Sequence, residues 1–140
     1  MKLKTLNHGL KTNTLEVVFL IKGGDLLNIF QLLLIGHLLG DWLFQSNQMA
    51  VNKTSDKTIL FVHSLVYALF VSWMMLFVSW YAVIITFIIC LITHILLDNR
   101  KFVIWWIKNI KRDKKQPQWL VFVLDQCFHL IVLAIIALLI

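Results

Sequence analysis

Four imidazoles and three carboxylates stand in otherwise apolar sequence: His37-x-x-x-Asp41, His63, His94-x-x-x-Asp98 and Asp125-x-x-x-His129. On a helix, a four-residue interval puts two side chains on one face, about 5–6 Å apart at Cβ, so each pair can reach one point. Histidine with carboxylate suits zinc, manganese or iron. One ion takes three or four protein ligands. Seven candidates therefore imply either two ions about 3.5–4 Å apart, or one ion with Asp–His pairs around it and a spare carboxylate as base. Asp41, Asp98 and Asp125 are the candidates for that base. Gln45 lies one further turn along the His37–Asp41 stripe, and Tyr67 one turn after His63.

The elements that must carry these residues follow from composition. Of 140 residues, 60% are hydrophobic and 14% charged, against about 25% charged in an ordinary soluble domain. One soluble core could not hide that much apolar surface, whereas a bilayer can act as its solvent. A span needs about 20 apolar residues. Residues 58–97 contain no Asp, Glu, Lys or Arg, which is enough helix for two crossings, with the turn expected at Ser79-Trp80-Tyr81. The fold expected is all-α, an integral membrane bundle of four transmembrane helices over about 26–44, 58–78, 81–98 and 118–140, the last starting after Pro117. Residues 1–24 form a poorly specified N-terminal extension, with no convincing signal peptide and no role for His8. Residues 25–140 form the membrane domain.

The two connections reached after the first and third spans carry nine of the thirteen basic residues, Lys53, Lys57, Arg100 and Lys101 among them. The positive-inside rule makes that side cytoplasmic, although Lys2, Lys4, Lys11 and Lys22 argue weakly against it. With this topology all seven titratable residues fall at similar depth in the cytoplasmic leaflet of the cell membrane. Hydrophobicity alone does not require that, and each Asp at a helix centre costs roughly 2.5–3.5 kcal/mol on insertion scales. Between the third and fourth spans, Phe102 to Ile107 followed by a lysine cluster suits an interfacial helix against anionic head groups. An ordinary topology-setting basic loop explains the same residues equally well. The +6 net charge thus has a membrane explanation, and no nucleic-acid motif accompanies it.

Blander readings stand beside the metal. A single histidine in a span is more often a hydrogen-bonding helix contact. Gly36-x-x-x-Gly40 is best read as close helix packing, and Tyr67 as packing. Cys90 and Cys127 read as buried thiols, with no disulfide framework. Asp56 is placed to cap a helix, and Asp113 reads as solvated loop.

His37-x-x-x-Asp41-Trp42-x-x-Gln45, Lys53, His63-x-x-x-Tyr67, His94-x-x-x-Asp98-x-x-Lys101 and Asp125-Gln126-x-x-His129 together resemble a bacterial family of short integral membrane proteins known only as a domain of unknown function. The resemblance runs from about Leu26 onward and leaves out the first 24 residues. It is similar, more loosely, to the membrane-bound metal-dependent hydrolases, which implies metal and hydrolysis. The favoured function is a membrane-embedded hydrolase using one or two divalent ions, acting by activated water on a lipid or lipid-linked phosphate. Lys53, Arg100 or Lys101 would attract its anion, and Gln126 would belong to the surrounding shell. Two alternatives are a non-catalytic metal-binding module that recruits a partner through the basic loop, and a small ion or proton transporter. Membrane lipids are the expected partners, with homo-oligomerisation or a soluble partner at the basic loop as further expectations.

Overall fold

A computed structural model describes residues 19–20, 26–112 and 117–140. Most of the expected N-terminal extension and Asp113 lie outside these residues. Among the described residues, the strand structure is a two-residue antiparallel pairing, β1 (Phe19–Leu20) with β2 (Leu26–Leu27). The body is helical. Helix α1 (Ile29–Leu38) runs into a π-helical turn over Leu39–Leu43, followed by the short α2 (Asn47–Asn52). Then come α3 (Lys57–Met74), α4 (Trp80–Asp98), α5 (Lys101–Asn109) and α6 (Gln118–Leu139).

Polar residues set these boundaries. Asn28 and Gln31 form a reciprocal capping box at α1, while Ser46 and Ser79 accept from the first turns of α2 and α4. Asp56 accepts from Thr58 N at 2.7 Å and Ile59 N at 3.2 Å, the capping role its position implies. Replacing Asp56 by alanine orphans those amides and is expected to cost about 1 kcal/mol, read as a lower melting temperature in detergent. Pro117 precedes α6 and gives up no helical hydrogen bond.

The α3–α4 reversal comes earlier than expected. It is a 3-10 turn over Met75–Phe77, with Ser79 already capping α4 and Trp80 and Tyr81 in its first turn. Short-range geometry explains the shift: Val78 N and Ser79 N both bond Met75 O, so the turn needs neither Gly nor Pro.

Three helical stretches are long and apolar enough to cross a membrane: Lys57–Phe77, Trp80–Asp98 and Gln118–Leu139. The fourth apolar stretch, Ile29–Leu43, is shorter. The burial pattern is inverted relative to a soluble domain. His63, Ser64, Thr86, His94 and Asp98 are fully buried, while Leu69, Ile84, Ile92 and Ile131 are more than half exposed. An apolar exterior around a polar interior is what hydrocarbon as solvent selects. Cys90 is buried, but Cys127 is exposed, a correction to the buried reading. It lies on α6 away from the Asp125–His129 face, where the surface itself is apolar.

Helix α1 meets α3 at backbone contact distance. A Cβ on Gly36 would stand 2.7 Å from Val71 Cα, and one on Gly40 2.9 Å from Tyr67 Cα. Only glycine permits this approach. The connection after α4 contains the expected helix, α5. It buries Val103 and Ile107 against Leu120 and Val121, and the rings of Phe102 and Trp106 contact Phe128.

Candidate metal centre

Helix pitch and chain reversal bring the four apolar helices together at one end of the bundle. Asp41 comes from the π turn, His63 from the second turn of α3, His94 and Asp98 from the end of α4, and Asp125 and His129 from α6. Six of the seven expected residues fall into two groups that could hold a metal ion. Asp41, His63, His94 and Asp98 form one; Asp98, Asp125 and His129 form the other. All six are buried.

In the first group, His63 Nε2 lies 3.1 Å from Asp41 Oδ1, 3.0 Å from His94 Nε2 and 2.9 Å from Asp98 Oδ2. His94 Nε2 is 3.1 Å from Asp98 Oδ2 and 3.8 Å from Asp41 Oδ1. A tetrahedral ion with bonds of about 2.0–2.1 Å separates its ligand atoms by about 3.3 Å. The donor spacing fits that shell. It fits a pure hydrogen-bond network poorly, because one imidazole nitrogen carries at most one proton for so many close neighbours.

The partners also fix tautomers. His129 Nδ1 donates to the Asp125 carbonyl at 2.8 Å, leaving a lone pair on Nε2. His94 Nδ1 lies 2.8 Å from that atom and donates to it. His94 Nε2 is then unprotonated and directed at Asp98 and His63. A chain of imidazoles hydrogen-bonded away from the cluster, exposing a lone pair inside it, is how protein scaffolds prepare metal-ligating histidines. Tyr67 stacks on the His94 ring with centroids 3.8 Å apart, which agrees with packing.

Two buried carboxylate oxygens are left without hydrogen bonds, Oδ1 of Asp98 and Oδ1 of Asp125. Lys53, at the end of α2, supplies a partial answer. Its Nζ lies 2.7 Å from Asp98 Oδ2, 3.6 Å from Asp41 Oδ1 and 3.2 Å from His63 Nε2. Three carboxylates carry three formal negative charges in this interior, against one ammonium. The remaining two suit a divalent cation, since uncompensated buried charge is costly.

His37 stands outside both groups, with both ring nitrogens engaged. Nε2 donates to Gln126 Oε1 at 3.2 Å, and Nδ1 accepts from Tyr67 Oη at 3.2 Å. Gln126 in turn donates to Asp41 Oδ2 at 3.0 Å and accepts from Trp42 Nε1 at 3.3 Å. This relay orients Asp41. Gln45 Nε2 is 3.1 Å from His63 Nε2, reached from the loop after the π turn instead of from a continuing helix. Arg100 lines a cavity of ≈ 210 Å³ together with Asp41, Gln45, Lys53, Asp125 and Gln126. Lys101 is exposed and lines other cavities. From sequence, Lys53 is both a topology-setting cation and a residue placed to attract an anion; its burial follows from Ser46, whose cap starts the helix that turns Lys53 under α3.

Residues 29–140 match a family model described as Protein of unknown function (DUF3307). Every candidate site residue lies within that stretch. No curated protein and no solved structure matches the chain.

Proposed function

The chain belongs to this family of unknown function, and from that premise we propose that it is a membrane-embedded, metal-dependent hydrolase with its site near the cytoplasmic head-group layer. In this reading residues 25–140 form one membrane domain. The α1 stretch crosses as a fourth span, its shortness offset by local bilayer thinning around a polar site. Asp41, His63, His94 and Asp98 hold the ion. His129 and Asp125 buttress His94, and His37 positions Asp41 through Gln126.

One observation carries the proposal: four buried donor atoms spaced like a tetrahedral shell, including an Asp98 carboxylate whose Oδ1 has no hydrogen bond. A divalent ion bound there would lower the pKa of its water toward about 7 and polarise an ester or phosphoester oxygen. Asp125, with Oδ1 unpartnered beside the same cavity, is the residue placed to take a proton from attacking water. The ester acted on belongs to a lipid or a lipid-linked phosphate, because the cavity opens at a helix end that head groups reach.

Purified protein is expected to carry one zinc, manganese or iron ion per chain by elemental analysis. His94→Ala should reduce this at least tenfold and abolish turnover of short-chain phospholipids, while Asp125→Asn keeps the metal and loses turnover. Wild-type protein that folds without stoichiometric metal refutes the hydrolase. Lys53 favours the second reading in that event: its ammonium already supplies one cation, and a hydrogen-bonded polar core would then serve a non-catalytic membrane module.

A further inference from the structure

Arg100 occupies the break between α4 and α5 with φ 58°, the left-handed conformation that a chain leaving a helix usually assigns to glycine. Arginine there accepts backbone strain, and its neighbours suggest why. Its side chain lines the cavity shared with Asp41, Asp125 and Gln126, and with Trp42 and Phe122. No described residue accepts a hydrogen bond from its guanidinium, and Nε is buried without a partner. The other basic candidates are committed elsewhere: Lys53 to Asp98, Lys101 to the exterior of α5.

Resting on the hydrolase reading, we propose that Arg100 is the anion anchor of this cavity and that the group it takes is a phosphodiester of a membrane lipid. Formal charge selects the anion. Asp41, Asp98 and Asp125 are balanced by Lys53 and one divalent ion, which leaves the single positive charge of Arg100 for a monoanion. Shape admits a phosphate, whose oxygens match the guanidinium fork bidentately, and the ester hydrolysis proposed for the site makes that monoanion a phosphodiester. The mouth selects a lipid. Trp42 is more than half exposed and its ring meets Phe122 with centroids 5.5 Å apart, an aromatic pair of the kind that sits at head-group level. Hydrolysis would add the oxygen of water to phosphorus, break one P–O ester bond and release an alcohol that takes up the proton, leaving a phosphomonoester.

The test measures binding to metal-loaded protein in detergent, using short-chain phosphatidylglycerol, dimethyl phosphate and short-chain diacylglycerol as probes. Phosphatidylglycerol should bind at least tenfold more tightly than dimethyl phosphate, and diacylglycerol should not compete. Arg100→Gln should weaken phosphatidylglycerol at least tenfold with bound metal unchanged, and Arg100→Lys should fall between. The lysine variant carries the test if the glutamine variant fails to fold. Equal binding by wild type and Arg100→Gln overturns the anchor, and equal affinity for the two phosphodiesters overturns the lipid. Wild-type protein lacking metal but binding phosphatidylglycerol through Arg100 would sink the hydrolase and leave the anchor standing.

Discussion

Asp98→Asn is expected to strip the centre of metal and to destabilise the bundle by about 3 kcal/mol, and a second substitution separates the two effects. Asp98 is fully buried and belongs to both candidate groups. Asparagine keeps its size but loses the charge that faces Lys53, His63 and His94 at 2.7, 2.9 and 3.1 Å. Removing one partner of a buried ion pair costs about 3–5 kcal/mol, because the other charge stays buried without compensation. The low end applies here, since Asp41 remains 3.6 Å from Lys53 Nζ. Adding Lys53→Met removes that orphaned ammonium, so the double variant should recover most of the stability in a denaturant or thermal melt. It should not recover metal, because the ligand charge is still missing. Elemental analysis of the three proteins checks this. Metal retained by Asp98→Asn at wild-type stoichiometry would show that Asp98 is not a ligand and that its charge serves the ion pair with Lys53 alone.

The parts of the site legible in the sequence are those governed by regular helix pitch. His94 and Asp98, and Asp125 and His129, lie on unbroken α4 and α6, so their four-residue spacing translates directly into a shared face. His37 and Asp41 have the same spacing, yet they diverge. The π turn over Leu39–Leu43 takes more residues per turn, so Asp41 is rotated off the His37 stripe. It reaches His63, while His37 reaches Tyr67 and Gln126. Nothing in Leu39-Gly40-Asp41-Trp42-Leu43 announces a π turn, since the local pattern is equally compatible with an α-helix. The same turn ends the first apolar stretch and puts Gln45 beyond helical order.

Lys53 was legible as a cation placed to attract an anion, but its burial was not. Hydropathy and charge counting treat a lysine between spans as solvated, whereas its burial depends on the short, Ser46-capped α2 packing against α3. Gln126 carried a motif position but no charge; its place at the junction of His37, Trp42 and Asp41 emerges only from the α1–α6 arrangement. Gly36 and Gly40, by contrast, were readable, because small residues one turn apart have few other uses in a span.

Those two glycines should control the metal centre without touching it. An added methyl at Gly36 would meet Val71 Cα at 2.7 Å and Phe70 O at 3.0 Å; at Gly40 it would meet Tyr67 Cα at 2.9 Å and the Tyr67 carbonyl oxygen at 3.2 Å. These obstacles are backbone, which cannot rotate aside as a side chain does. Ordinary contact is restored only if α1 and its π turn move from α3 by the better part of an ångström. Asp41 rides on that turn and would leave His63, now 3.1 Å away, whereas metal shells tolerate distance errors of only about 0.2 Å. Overpacking typically costs about 1–3 kcal/mol, so Gly36→Ala/Gly40→Ala is expected to retain helical circular dichroism, lower the melting temperature, and lose metal affinity by about 100-fold or more, since each 1.4 kcal/mol of strain placed on binding is tenfold. Val123→Ile, which adds the same methyl at an outward, exposed position of α6, should change none of these. Full metal content in the double alanine variant would mean that Asp41 is not a ligand, and that the α1–α3 approach serves packing alone.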